Sequence, residues 1–327
     1  MELPSHPTGA AAQASLPLGS GAFAQRLIQH QVRRLGRLQA AVLADRDPEP
    51  LHQLRVSLRR LRTVLVQFGP ALELPRQVTP QRIAVVARRT GLCRDLDVLR
   101  MRLEQQLLPR IAPEEQRSFA GVIQRLGRDR AEAFQTLVET LHSSRYLRLL
   151  QRLNQWQKRP RFTCLGQLPL LPWLADWQAP FSAGLFLHPG WTVVDPAAAE
   201  LHALRKRIKA ARYSLEILAA WCEPELQAWL EDLRQAQEHL GELHDLQLLQ
   251  HNLADGLRRS QRCAWPLLRA EIEARQLLHW LRWRELAQRL YSDRHRHAIQ
   301  RRLGQLGRTA PHPGPAGQQG PEAGLCG

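Results

Sequence analysis

Apolar residues recur with a helical period along most of this chain. Steps of three and four residues place them on one face of an α-helix. Two such apolar stripes repeat the same spacing 150 residues apart: Leu51, Leu54, Leu58, Leu61 and Leu65, then Leu201, Leu204, Ile208, Ala211 and Leu215. The repetition predicts two similar helices in two related halves of the chain.

The pattern predicts an all-α protein with two helical halves. Helical periodicity dominates residues 22–157, where strand signals are absent, and it resumes from Ala197 to about Leu303. Breaks at Pro224 and Pro266 indicate the first turns of new helices. Six prolines and three tryptophans between the halves favour a connector packed by aromatic rings. The predicted segments are a flexible leader 1–20, a first half 21–157, a connector 158–196, a second half 197–303 and a disordered Gly/Pro-rich tail 304–327.

Both predicted helices also carry a stripe of basic residues. The two basic stripes share the spacing 0, 3, 7, 10 and consist of His52, Arg55, Arg59 and Arg62, then His202, Arg205, Lys209 and Arg212. The four positions span a sector about 80° wide, and this sector lies beside the apolar stripe. Cations at the edge of a packed core cost desolvation and repulsion unless they bind an anion. The basic stripes therefore predict a groove that binds an anion.

Three neighbouring residues are weaker candidates for the same groove. Lys206 and Tyr213 lie close to the second basic stripe by helical angle, and the hydroxyl of Tyr213 could reach an anion. Arg94 belongs to a second match at the same offset, in which residues 91–99, GLCRDLDVL, align with residues 241–249, GELHDLQLL. Asp95 and Asp245 coincide under this offset, and we interpret them as residues that orient arginines or cap a helix.

These motifs resemble those of the CHAD family, the conserved histidine α-helical domain. The resemblance rests on LHQLRVSLRRLRTVL and RRTGLCRDLDVL in the first half, and on LHALRKRIKAARYSLEIL and QEHLGELHDLQLL in the second. The paired histidines of the family fall at His52 and His202, its RDxD motif at 94–97 and its LGxxxD motif at 240–245. The chain resembles a stand-alone member of this family over residues 21–303.

The resemblance implies a fold and a ligand. The fold would be two duplicated antiparallel helical bundles, similar to four-helix bundles, related by a pseudo-twofold axis around a basic central groove. The ligand would be inorganic polyphosphate, bound without catalysis, and the protein would be targeted to polyphosphate granules. The proline-rich and tryptophan-rich connector stands where the first half has an ordinary helix.

Composition agrees with a polyanionic partner. Lysine and arginine number 46 against 30 acidic residues, which gives a net charge of +16 and a pI near 11.1, so nucleic acid, polyphosphate and acidic lipid are all plausible partners. The five cysteines never form a CxxC pair, which argues against a disulfide framework and favours the cytoplasm. The N-terminus lacks the features of a signal peptide, and no segment has 18 consecutive apolar residues.

Two alternative functions remain open at this stage. One is association with nucleic acid through the same positive charge, although stacking aromatics do not stand out on the stripes. The other is a metal-dependent phosphohydrolase that uses the dipeptide His244–Asp245. An adjacent arginine and the absence of histidines spaced i, i+4 argue against a metal site, and the sequence shows no cofactor motif, P-loop or nucleophile elbow.

The histidine pair carries a hypothesis about pH. Each imidazole could donate a hydrogen bond to phosphate, more strongly when it is protonated. A bound anion should raise the pKa of each histidine, which predicts tighter binding at mildly acidic pH.

Overall fold

The computed structural model describes residues 18–256 and 265–308, and within them it is all-α, as predicted. These residues form thirteen α-helices and no β-strand. The helices of the first half are α1 (Ser20–Ala44), α2 (Glu49–Gln67), α3 (Pro80–Arg89), α4 (Gly91–Met101), α5 (Pro113–Ser118), α6 (Ala120–His142) and α7 (Ser144–Lys158). The remaining helices are α8 (Cys164–Gln167), α9 (Leu174–Phe186), α10 (Ala199–Glu216), α11 (Pro224–Gly256), α12 (Pro266–Tyr291) and α13 (Asp293–Leu303).

Several helices begin at signals that are local in the sequence. Pro224 and Pro266 open α11 and α12, as predicted from the missing N–H of proline. Thr79, Ser143 and Ser292 cap α3, α7 and α13, because their hydroxyl oxygens accept a hydrogen bond from the backbone N–H three residues later.

The two predicted apolar stripes face the core. All ten of their residues are at most 4 % exposed. The main hydrophobic core contains residues from α1, α2, α6 and α7 together with residues from α9 to α13. A smaller core joins Leu103, Leu107 and Phe119 to Leu246, Leu249 and Ile272 of α11 and α12. The two halves therefore pack against each other through shared cores.

The connector contains more helix than its prolines indicate. Its longest element is α9, a helix of 13 residues that holds Pro180 in its interior and packs on α10, as α1 packs on α2. Two of its tryptophans, Trp177 and Trp191, are engaged in packing and hydrogen bonds. The indole N–H of Trp177 donates to Ser20 Oγ at 3.1 Å, and that of Trp191 donates to the Leu185 carbonyl at 2.8 Å.

The folded part extends slightly beyond the predicted limits at both ends. Ser20 N donates to the Leu168 carbonyl at 3.0 Å, and Leu170 N donates to the Leu18 carbonyl at 2.9 Å, so the end of the predicted leader is attached to the connector. Leu306, assigned to the tail, is 3 % exposed. The rest of the leader, 1–17, and of the tail, 309–327, lies outside the described residues. No helix in the described ranges has the length and apolar character needed to cross a membrane.

Candidate functional site

The two basic stripes meet because α2 packs against α10. Arg59 Nη1 donates to the hydroxyl of Tyr213 at 3.4 Å, which links the first stripe directly to the second helix. About two turns further along α2, Gln67 Nε2 donates to the Ser214 carbonyl of α10 at 3.3 Å. Residues about 150 positions apart in sequence are therefore brought together. We call the following set of residues on α2 and α10, with Arg94 of the adjoining α4, the α2–α10 face: His52, Arg55, Arg59, Arg94, His202, Arg205, Lys206, Lys209, Arg212 and Tyr213.

Lys209 has several arginines of the α2–α10 face within electrostatic range. Its side chain is half-buried, and among the described residues it forms no ion pair. Burial, and then the charges of Arg59, Arg205, Arg212 and Arg55, lower the pKa of Lys209 from 10.5 to about 7. The amine thus loses part of its charge at neutral pH, first because burial disfavours the charged form and then because cations from both halves lie near it.

Arg55 and Arg205 occupy matching positions against two glycines. A Cβ atom on Gly91 would lie 3.2 Å from Arg55 Nη1, and a Cβ atom on Gly241 would lie 3.1 Å from Arg205 Nη2. Each glycine therefore allows a guanidinium group to pack closely against the neighbouring helix. Both arginine–glycine pairs obey the sequence offset of 150.

The two arginines differ in their hydrogen bonds. Arg55 Nη1 donates to the Ala87 carbonyl at 2.7 Å and to Thr90 Oγ1 at 3.4 Å, so this guanidinium is held in place by α3. Arg205 Nε is buried and has no hydrogen-bond partner among the described residues, and the same is true of His202 Nδ1. Unpaired buried polar atoms are rare in folded proteins, and two of them adjoin this face.

The surroundings of the two histidines of the α2–α10 face disfavour their protonated form. Burial, and then the charge of Arg94, lowers the pKa of His52. Burial, and then His244 and Lys206, lowers the pKa of His202. The rings of His202 and His244 lie 4.4 Å apart between centroids, beside a cavity of about 160 Å³ at the start of α10. The charge of an anion bound nearby would favour protonation of these rings.

Arg212 and Tyr213 are more constrained than the sequence indicates. Arg212 forms an ion pair with Glu216, donates from Nε to Gln237 Oε1 at 3.2 Å, and lies 4.5 Å above the Tyr213 ring. Tyr213 is 6 % exposed. Arg212 therefore has a carboxylate partner already, and only the hydroxyl edge of Tyr213 adjoins the other stripe.

Three predicted residues lie at the margin of the site. Arg62 and Lys206 are exposed. Arg62 makes no hydrogen bond or ion pair within the described part of the chain, and the structure does not join it to the cations around Lys209. Arg94 is half-buried and lies within electrostatic range of His52 and Arg55.

Both aspartates have arginines near them, and their role in orienting those arginines stays a prediction. Asp95 is within electrostatic range of Arg55, Asp245 and Arg59. Arg102 Nη2 lies 3.6 Å from Asp245 Oδ2 and donates a hydrogen bond to Glu242 Oε1 at 2.7 Å. Arg102 is 5 % exposed and was not singled out from the sequence, because no basic residue occupies the matching position, Asn252.

A metal centre at His244 and Asp245 lacks further ligands. No group of three or more His, Cys, Asp or Glu side chains in the described residues could hold a metal ion. Asp245 faces Arg102, and His244 faces the ring of His202.

Comparison with known proteins identifies similar chains. A family model described as CHAD domain matches residues 26–254. The crystal structure of the CHAD domain from the plant Ricinus communis is similar at 26 % identity and a TM-score of 0.57, over 94 % of this chain and 99 % of that one. PptA from Streptomyces chartreusis is similar in fold, at 18 % identity and a TM-score of 0.60, over 83 % of this chain and 99 % of that one. No curated protein matches the chain.

Proposed function

The chain belongs to the CHAD domain family, and we propose that it binds inorganic polyphosphate, without catalysis, along the α2–α10 face. The observation that carries this proposal is the contact of the two basic stripes between Arg59 and Tyr213. Beside this contact, Lys209 lies within electrostatic range of Arg59, Arg205, Arg212 and Arg55, and no carboxylate is bonded to the lysine among the described residues. Repulsion within such a cluster of cations destabilises the folded protein, and a bound polyanion relieves this repulsion. A phosphate chain supplies one negative charge after another along the length of the two helices.

The geometry of the donors favours a phosphate chain over nucleic acid. The planar guanidinium group of arginine can donate two hydrogen bonds to the oxygens of one phosphate. Successive turns of a helix place such guanidinium groups about 5 Å apart. Proteins that bind single-stranded nucleic acid usually add aromatic rings on which bases stack. Tyr213 contributes a phenol ring to the α2–α10 face, and it is 6 % exposed, so this ring is not available for stacking.

We further propose that the two halves are duplicated bundles related by a pseudo-twofold axis that passes through this groove. The paired contacts of Arg55 with Gly91 and of Arg205 with Gly241 support the duplication. The matching arrangement of α1 on α2 and of α9 on α10 supports it as well. Targeting to polyphosphate granules in the cytoplasm is the cellular role that we propose on the basis of the family resemblance.

One titration separates the candidate functions. The full chain is titrated with long-chain polyphosphate, tripolyphosphate and duplex DNA at several salt concentrations. We expect long polyphosphate to bind most tightly, and its affinity to fall steeply as salt rises. Equal or tighter binding of DNA at equal charge would contradict the proposal. Release of orthophosphate from polyphosphate on addition of divalent metal would instead support the phosphohydrolase.

We predict that polyphosphate binding weakens as the pH rises above about 7. A bound phosphate chain stabilises protonated Lys209, so its pKa rises from about 7 in the free protein. At a pH between the pKa of Lys209 in the free protein and its higher pKa in the complex, binding takes up a proton. Over this range the affinity falls by up to about tenfold for each unit by which the pH rises. Below pH 6.5, His52 and His202 add a second gain in affinity, because their free pKa values are lowered. Isothermal titration calorimetry in two buffers measures both the affinity and the proton uptake.

The control for this pH dependence is Lys209→Arg. Arginine keeps its charge over the whole range, so the decline above pH 7 should disappear while the gain below pH 6.5 remains. A native protein whose affinity is constant between pH 5.5 and 9 would show that neither the lysine nor the histidines respond to the ligand.

A further inference from the structure

Lysine is rare in this chain, and one of its few lysines lies among the arginines of the α2–α10 face. Of the 46 lysines and arginines, only Lys158, Lys206 and Lys209 are lysines. Lys158 and Lys206 are exposed, whereas Lys209 is half-buried. A guanidinium group stays protonated at neutral pH, whereas an amine can lose its proton and attack an electrophilic carbon. Lysine therefore supplies a reactivity at position 209 that arginine would not supply.

The amine of Lys209 is flanked by groups that can hold a phosphate and by none that holds the amine itself. It makes no hydrogen bond or ion pair within the described ranges. Arg205 lies one helical turn before Lys209 and Tyr213 one turn after it, so the three side chains share one side of α10. Arg59 of α2 reaches the same side through its hydrogen bond to the hydroxyl of Tyr213 at 3.4 Å. Guanidinium groups from both helices therefore adjoin a free amine.

The surroundings of Lys209 favour the neutral, nucleophilic form of its amine. Burial, and then the neighbouring arginines, lower the pKa of Lys209 to about 7. Burial and nearby cations are the two means by which proteins activate a lysine as a nucleophile. In an ordinary lysine only about one amine in a thousand is unprotonated at about pH 7.5. Lys209 therefore holds far more of the reactive form at this pH.

We propose that Lys209 is acylated by small acyl phosphates, such as acetyl phosphate, and that this modification releases polyphosphate. The phosphate group of the donor is bound by Arg59 and by Arg205, whose Nε is buried and has no partner among the described residues. This places the carbonyl carbon of the donor next to the amine. The amine nitrogen attacks this carbon, an amide C–N bond forms, and the C–O bond to phosphate breaks. Orthophosphate leaves with the bonding electron pair and takes up the proton that the nitrogen loses.

Acylation and polyphosphate binding exclude each other on the α2–α10 face. The amide is neutral, so the modification removes a cation that the phosphate chain would contact. A bound phosphate chain in turn occupies the arginines that the acyl phosphate requires. The release of polyphosphate rests on the proposed function, whereas the acylation requires only that these arginines bind one phosphate group.

Incubation of the full chain with acetyl phosphate, followed by peptide mass spectrometry, tests the acylation. At about pH 7.5 we expect Lys209 to be acetylated at least about tenfold faster than Lys158, because more of its amine is unprotonated. The N-hydroxysuccinimide ester of acetic acid, an acyl donor without phosphate, is the control reagent and should show a smaller preference for Lys209. Lys209 reacting no faster than Lys158 would overturn the acylation. An equal preference with both donors would also overturn it, because the arginines would then not bind the phosphate of the donor.

Long-chain polyphosphate separates the acylation from the proposed function. It should suppress acetylation at Lys209 and leave the reaction at Lys158 unchanged. Selective acetylation of Lys209 that polyphosphate does not suppress would support the acylation and contradict polyphosphate binding on this face. Suppression at both lysines alike would show that polyphosphate acts on the reagent, and the mutual exclusion would be wrong.

The effect of the modification on binding is measured against Lys209→Arg. We expect the acetylated native chain to bind long polyphosphate at least about tenfold more weakly than the untreated chain, because one charge-assisted hydrogen bond is lost. Lys209→Arg, treated in the same way, can be acetylated at Lys158 and Lys206 but should keep its affinity. Circular dichroism verifies that the treated chains keep their helices. Equal losses of affinity in both chains would overturn the assignment of the release to Lys209.

Discussion

A chain with Arg59, Arg205 and Lys209 replaced by Ala is expected to bind polyphosphate at least about 100-fold more weakly than the native protein. These three side chains come from both halves, and among the described residues none of them is paired with a carboxylate. A hydrogen bond to a charged group contributes about 1.5 to 3 kcal/mol, so even partial loss of three such bonds exceeds two factors of ten. Fluorescence anisotropy with labelled polyphosphate measures the change.

The variant is chosen to leave the fold intact. Arg55 and Arg212 are kept because the first holds the Ala87 carbonyl and the second holds Glu216 and Gln237. The matched control replaces three exposed arginines elsewhere, Arg26, Arg128 and Arg148, by Ala. Both variants lose three basic side chains. If both lose affinity equally, binding depends on net charge, and the α2–α10 face is not the site.

Salt dependence gives a second measurement on the same variants. Each phosphate contact contributes about 0.7 to 0.9 to the slope of log affinity against log salt in nucleic acids. By analogy, loss of three contacts should reduce the slope for polyphosphate by about 2. The control variant should keep the native slope. A slope unchanged in the triple variant would show that these side chains do not contact phosphate.

The position of the basic stripes was predictable because it depends on local periodicity. The leucines beside His52 and His202 are apolar and had to face a core. Since the basic residues follow each histidine at three and seven positions, they lie on the adjoining sector of the same helix, at the edge of that core. The family, the all-α class and the helix starts at Pro224 and Pro266 follow from similarly local signals, and all three are confirmed. Repetition at one offset strengthened each of these predictions, since both halves gave the same pattern.

The partners of individual side chains were not predictable in the same way. Arg102 and Glu242 are 140 positions apart, and their ion pair exists only because the fold brings the residue that follows α4 next to α11. Arg212 matches Arg62 by offset, yet the former is paired with Glu216 while the latter is exposed. The helical content of the connector was underestimated because Pro180 lies inside α9 and tertiary packing stabilises that helix in spite of it. Tertiary contacts decide these features, and periodicity does not report them.

Lys209→Met is expected to stabilise the folded protein while it weakens polyphosphate binding. The pKa of Lys209 is about 7 in the folded protein and 10.5 ordinarily, so below pH 7 the folded state holds a charge that it disfavours. This cost is fully present below about pH 7 and disappears as the pH rises to about 10.5. Methionine fills a similar volume without a charge. We expect the free energy of unfolding at pH 7 to rise by about 1 to 3 kcal/mol.

Urea unfolding at several pH values distinguishes this electrostatic cause from simple packing. The gain from Lys209→Met should be largest at pH 6 and should vanish near pH 10.5, whereas a packing effect would be independent of pH. Lys158→Met, at an exposed position on α7, is the matched control and should change stability by less than about 0.5 kcal/mol at any pH. If Lys209→Met destabilises the protein at pH 6, the lysine already has a favourable partner in the free protein. Stabilisation combined with weaker binding would instead mean that the fold retains a buried cation at this position because the anion requires it.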